Sequence, residues 1–414
     1  MSTQSTPSIL FTHRSPQHGF RLLELPPDLA ELLASDDPPT LELKSPTQSQ
    51  PTPASSSSST TPVPAYVNLC TPTKTYSIRQ VQSSNSLHIL TPSTGGAVRK
   101  HDLSIVGEGT AEEEEDVDMD RALNVEGTVT SIAKCGSTLE LHTPPEGFSA
   151  TGVLSAAVRV FGEGVELDGN GDGDADLDMQ GDEDGTTRKI LDELFADIPV
   201  SRAQCEAGWS ELCGFVIPPR DGEPLASPVS SHCWRPTAGK KLEVWKMIVD
   251  GAVLQGIDLG KQFLVRDLWR SVLDDDGNEP FPIPLFEAVV RRVRESGDGA
   301  GGDLKWASID KDACIQWVGE TYLEATAPGA GSAISESELL VAWRDQLPEA
   351  WRGDVSLSKL PETCHMRPDP KTICFATEAD RQKAKKNLPT DDSAAAKKTR
   401  NWHELFKNQK RQKR

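Results

Sequence analysis

Asp168-Gly169-Asn170-Gly171-Asp172-Gly173 has the residue types that could hold calcium: oxygen-bearing side chains at positions 1, 3 and 5 of a loop, and glycine at 6 for the turn. A complete loop needs a bidentate Glu at position 12, where Met179 stands. The ion would lose two oxygens, and Gln180 to Gly185 do not read as an amphipathic exiting helix, so the segment reads as acidic low complexity. Cys364, His365 and Cys374 come nearest to a zinc set but lack the paired spacing zinc requires. Gly297, Gly299, Gly301 and Gly302 imitate a phosphate-binding turn, yet no Gly-Lys-Ser/Thr follows. There is no G-x-S-x-G elbow, and the 8 histidines are scattered with no nucleophile–base pair among them. The residue chemistry therefore points away from an enzyme and calls for no metal or cofactor.

Cations offer a different chemistry. Arg266, Arg270, Arg291, Arg292 and Arg294 lie on or beside candidate helices and could hold phosphates along one face, or be an ordinary solvated face. Residues 381–414 contain basic clusters, including Lys383, Lys385, Lys386, Lys397, Lys398 and Arg400, which suit nuclear import or contact with nucleic acid. The chain as a whole is acidic, with 43 Lys+Arg against 63 Asp+Glu and a net charge of −20. Two runs, 111–120 and 166–184, supply −16 of it and the tail returns +9, leaving −13 for everything else. Contact with DNA is thus restricted to the tail or a local face, and protein partners take the larger share. No apolar stretch approaches 18 residues, so no membrane span is expected, and Met1 to Leu10 lacks the pattern of a signal peptide. Eight cysteines without a C-x-x-C pair read as free thiols.

The elements that must position these residues divide the chain. Phe20 to Leu25, Thr40 to Lys44, Tyr66 to Thr71, Thr75 to Val81, Ser86 to Leu90, Gly127 to Ile132 and Thr138 to His142 read as short strands, several alternating at period two. The turn Thr71-Pro72-Thr73-Lys74 suggests an antiparallel meander. So few short strands leave exposed edges and a thin core, and they require closure into a barrel or a partner at the edge. Leu23, Leu25, Leu69, Tyr76, Ile78 and Leu87 are the candidates for contact with that partner. Ser45 to Pro64 is too polar to order itself and reads as a disordered insertion.

From Thr187 the apolar period becomes helical. Ser201 to Gln204 and Ser335 to Glu338 read as capping boxes and Asp310 as an N-cap, and pairs of helices followed by extended apolar pieces suggest a winged helix repeated along the chain. The expected fold is α+β. A barrel-like antiparallel module completed by partners spans 11–145, and a helical segment with an acidic linker spans 146–186. Winged helices follow at 187–236, 237–308 and 309–380, and a basic tail at 381–414.

The series Leu22-Leu23-Glu24-Leu25, Leu69-Cys70, Lys74-Thr75-Tyr76 and Ser84-Asn85-Ser86-Leu87 resembles, in order, the N-terminal signature of the family "defective in sister chromatid cohesion". Ile190 to Leu212 is similar to that family's first winged helix, and Trp343 to Glu349 resembles its W-x-x-x-[VL]-P-E helix end, with Leu357 to Leu360 as the L-x-x-L downstream. The resemblance implies a nuclear, non-catalytic subunit of the alternative replication factor C-like clamp loader, acting in DNA replication and sister chromatid cohesion. It implies that the N-terminal strands pair with the large ATPase subunit and a small accessory subunit. It also implies that the winged helices dock the leading-strand DNA polymerase and DNA, so that the PCNA sliding clamp is loaded or removed. A transcription-associated winged-helix subunit is the alternative reading of the same architecture. A calcium-regulated protein is a third, resting on Asp168 to Gly173 alone.

Overall fold

Alternation at period two gives six strands of one sheet. The computed structural model describes residues 11–45, 67–92, 129–144, 147–162, 180–219, 228–273, 277–295, 304–377 and 380. The chain divides into two compact units, Met1–Ala150 with Phe195–Ala207, and Thr151–Leu194 with Gly208–Arg414. The calcium-like loop at 168–173, the glycine turn at 297–302, the polar tract from 46, the acidic run at 111–120 and the basic clusters of the tail lie outside the described residues.

The first unit contains β1 (Phe11–Gly19), β2 (Leu22–Glu24), α1 (Pro27–Leu33), β3 (Glu42–Lys44), β4 (Asn68–Cys70), β5 (Thr75–Pro92) and β6 (Val129–His142). The sheet order is β1-β6-β5-β4-β3, with β2 also on β6. From β3 to β6 the pairing is the expected antiparallel one. Thr71 closes the turn before β5, its N–H donating to Lys74 O at 2.8 Å and its Oγ1 accepting from Lys74 N at 2.8 Å.

Three expectations are corrected here. β1 and β2 run parallel to β6, and the sheet is open among the described residues, with no closed barrel. Thr75 to Val81 and Ser86 to Leu90 are one strand, because a register shift between Gln82 and Leu87 absorbs the serines between them as an irregularity and not a turn. The described part of the strand expected at 127–132, from Val129, and Thr138 to His142 likewise merge into β6, in which Gly136 sits mid-strand.

One small core cluster of this unit is Leu29, Leu69 and Tyr76, with Leu33, Leu41, Ile78 and Leu141 packed against them, and Phe195, Ile198, Val200 and Cys205 are buried as well. The segment Phe195–Ala207, which the sequence reading gave to the first winged helix, is tied to the strands by polar bonds. Lys44 Nζ donates to Phe195 O at 3.1 Å and Val200 O at 3.3 Å, and Asn68 Nδ2 donates to Pro199 O at 2.7 Å. Ser201 N donates to Thr75 Oγ1 at 2.7 Å, Thr75 Oγ1 to Gln204 Oε1 at 2.6 Å, and Ala203 N to Pro72 O at 3.0 Å. Lys44 thereby ties the last turn of the helix ending at Ala196 and the connection after it to the strands.

The second unit repeats one element order. The first pass is α2 (Thr151–Ala157), β7 (Arg159–Phe161), α3 (Gln180–Ala196), α4 (Arg202–Glu211), β8 (Phe215–Val216) and β9 (Cys233–Pro236); the division between units falls within α3 and within α4. The second is α5 (Ala238–Gln255), β10 (Phe263–Leu264), α6 (Val265–Arg270), α7 (Ile283–Val293) and β11 (Trp306–Ala307). The third is α8 (Lys311–Thr326), β12 (Ile334–Ser335), α9 (Glu336–Asp345), a 3-10 segment at Glu349–Asp354, β13 (His365–Met366) and β14 (Thr372–Phe375). The three-stranded sheets have the orders β7-β9-β8 and β12-β14-β13. Helix, strand, two helices and strands thus recur, although β7 pairs in parallel with β9 and the third pass has a 3-10 segment in place of its third helix.

Local chemistry explains the ends. Asp310 Oδ1 accepts from Ala313 N at 3.0 Å and Ser335 Oγ from Glu338 N at 3.1 Å, so both caps act as such. Gly256, with φ 65°, takes the left-handed conformation that stops α5. Gln180 to Gly185, expected as open coil, form the first turns of α3.

Gly319 on α8 lets Trp343 on α9 approach closely. A Cβ on Gly319 would lie 2.4 Å from the indole, which is fully buried and donates from Nε1 to Ile315 O at 2.8 Å. Trp245 on α5 donates from Nε1 to Gln346 O at 2.9 Å and meets Trp317 edge to face at 6.1 Å. Trp343, Leu347 and the turn at Pro348 therefore join three helices. All eight cysteines are free and buried; burial pushes the Cys205 thiol up to about 11 and that of Cys233 to about 12, which keeps both protonated and unreactive.

Candidate functional site

Strand residues that carry an apolar side chain on both faces need cover on both. Leu22 and Leu23 are consecutive on β2, and Ile89 and Leu90 on β5, and all four are exposed. Phe11, Leu25, Leu43 and Leu87 are exposed as well, Leu43 to 68%. The first unit thus carries far more open apolar surface than its small core can use.

Of the residues predicted from sequence, Leu23, Leu25 and Leu87 lie in this open set. Leu69 and Tyr76 do not: both are buried in the unit's own core, and Ile78 is half-buried against it. Phe11, Leu22, Leu43, Ile89 and Leu90 were missed. The adjacent Leu22-Leu23 and Ile89-Leu90 pairs were the available signal, since strict alternation cannot bury both members of a pair under one layer.

Tyr76 also has a polar role. Its hydroxyl and Lys74 Nζ both donate to Asp28 Oδ2 at 2.9 Å, at the start of α1. These bonds hold the Asp28 carboxyl below its ordinary value, Lys74 contributing most. A depressed carboxylate stabilises the fold fully above its unfolded pKa, and that contribution is lost as pH falls through the folded one. Acid titration of the Asp28→Asn chain is therefore expected to remove part of the stability change below the ordinary carboxylate range; an identical acid profile would show that the Lys74 and Tyr76 bonds do not stabilise the fold.

The predicted arginines are not gathered into one row. Arg266 and Arg270 are exposed on α6, whereas Arg291, Arg292 and Arg294 cluster at the C-terminal end of α7. Arg291 is paired with Glu287 at 3.0 Å, and Arg292 is half-buried. Leu285, Phe286, Ala288, Val289, Val290 and Val293 of α7 are all buried, which leaves Glu287, Arg291 and Arg292 on the open side of this helix. Among the described residues no group of three or more His, Cys, Asp or Glu side chains could hold a metal, and no helix is long and apolar enough to cross a membrane. His365 Nδ1 lies 2.9 Å from Pro361 O and 3.9 Å from Cys364 Sγ.

Chemistry at this surface is that of association: exposed leucines on an open sheet, with a polar network behind them. No curated protein matches the chain. The model for the family described as sister chromatid cohesion protein Dcc1 matches residues 20–381, from the start of the Leu22-Leu23-Glu24-Leu25 strand to the first residue of the basic tail. The match takes in the open sheet from β2 onward and all three helical passes, and the chain belongs to the Dcc1 family of sister chromatid cohesion proteins.

Proposed function

We propose that this chain is a non-catalytic scaffold subunit of the alternative replication factor C-like clamp loader. Membership of the Dcc1 family implies a role in sister chromatid cohesion. In the proposed mechanism the large ATPase and small accessory subunits cover the open sheet of the first unit. The three helical passes, read as winged helices, dock the leading-strand DNA polymerase, and the assembly acts on PCNA in the nucleus. DNA is held weakly and without sequence preference, by the clusters at Lys383 to Arg400 and by the arginines of α6 and of the end of α7.

The observation that carries this reading is the exposure of Leu22, Leu23, Leu25, Leu87, Ile89 and Leu90 on one small sheet. At about 25 cal/mol per Å² of apolar area removed from water, a partner covering several leucines gains enough to offset the cost of association. Co-expression of the full chain with the two clamp-loader subunits tests it. Wild type is expected to co-purify with them and Leu23→Asp to lose them while keeping its far-ultraviolet circular dichroism. A wild-type chain that binds neither subunit would end the proposal.

A further inference from the structure

Between β1 and β2 the parallel ladder on β6 breaks: Gly19 pairs with Lys134, and the next pair is Leu22 with Thr138. Across β6 the antiparallel ladder shifts at the same level, from Gln82 with Ser137 to Leu87 with Cys135. The break is an open cleft of about 460 Å³ lined by Gly19, Phe20, Arg21, Lys134, Gly136 and Ser137, with Cys135 at its base. A Cβ on Gly19 or Gly136 would meet nothing within 4 Å.

Two cations line this cleft. Arg21 donates from Nη1 to the neutral Oε1 of Gln80 at 3.1 Å. Among the described residues no carboxylate lies within ion-pair distance of Arg21 or Lys134. Exposed Leu23 stands two residues beyond Arg21, the spacing that puts strand side chains on one face. The cationic cleft therefore adjoins the apolar surface.

We propose that the cleft receives an aspartate or glutamate side chain, flanked by apolar residues, from the partner segment that covers the sheet. The inference rests on the reading of the sheet as a partner-binding surface. Covering the leucines removes water from two like charges, and a desolvated charge without a counter-ion is far costlier than one that is paired. A neutral or basic segment would leave Arg21 and Lys134 uncompensated, so the same two residues select against the wrong partner. The carboxylate also supplies acceptors that the broken ladder lacks.

The test uses the full chain and the two clamp-loader subunits, comparing wild type with Arg21→Glu/Lys134→Glu and Arg21→Gln/Lys134→Gln. Both positions are exposed, so both variants are expected to fold. Charge reversal should weaken binding roughly a hundredfold at low salt, and neutralisation less. The gap between variants should narrow between about 0.1 M and about 1 M salt as screening shortens from ~10 Å to ~3 Å. If both variants bind with wild-type affinity and salt dependence while Leu23→Asp does not bind, the sheet is the partner's seat and the cleft takes no anion. If wild type fails to bind either subunit, the surface reading falls and this inference falls with it.

Discussion

Replacing Trp343 by alanine is expected to lower the stability of the second unit by about 3–5 kcal/mol. The indole is fully buried, fills the notch left by Gly319 and adds a second donor to the carbonyl of Ile315, which already accepts within α8. Removing it leaves a cavity between α8 and α9. Phenylalanine at the same position keeps most of the volume and loses chiefly the hydrogen bond, at about 1–2 kcal/mol. The complementary change, Gly319→Ala, drives a methyl to within 2.4 Å of the ring and should cost about 1–3 kcal/mol through overpacking. Thermal melts of the full chain would decide this, provided the two units are followed as separate transitions. A Trp343→Ala chain that melts like wild type would show that the notch is not packed as described.

Leu69→Asp should unfold the first unit, whereas Leu23→Asp should not. Leu69 is 4% exposed and packs in a cluster with Leu29 and Tyr76, so a carboxylate there is desolvated among apolar side chains. The expected loss is about 4 kcal/mol or more, a large fraction of what a small unit has. Leu23 is 37% exposed, and the same substitution should change stability by about 1 kcal/mol or less. Both variants should fail to bind partners, for different reasons: one has no sheet to offer and the other has a charge on it. Urea unfolding followed by circular dichroism separates them, and equal midpoints for the two variants would contradict the burial pattern.

The contrast between these leucines shows what period-two alternation can and cannot say. It groups residues by face, and so located β2, β3 and β4 and the turn between Thr71 and Lys74. It does not say which face the chain itself covers, so Leu69 and Tyr76 stood beside Leu23 and Leu87 as candidates. The parallel pairing of β1 and β2 with β6 depends on a strand more than a hundred residues away and leaves no local mark. Caps were legible at Asp310 and Ser335 because one side chain makes the decisive bond. The arginines on α7 were readable as charges, but the ion pair of Arg291 with Glu287 and the partial burial of Arg292 depend on packing that the sequence does not print.

The bonds from Lys44, Asn68 and Thr75 to Phe195–Ala207 have a consequence for synthesis. Lys44 reaches carbonyls 151 and 156 positions further along the chain, so its contacts cannot form until that stretch has left the ribosome. At 5–20 residues per second, the interval from the first strand to the last of these bonds is roughly 10–40 s. For that time the leucines of a sheet lacking its final tie face a crowded solution. A nascent chain of this kind gains from meeting its partner early, and subunits translated close together would shorten the exposure.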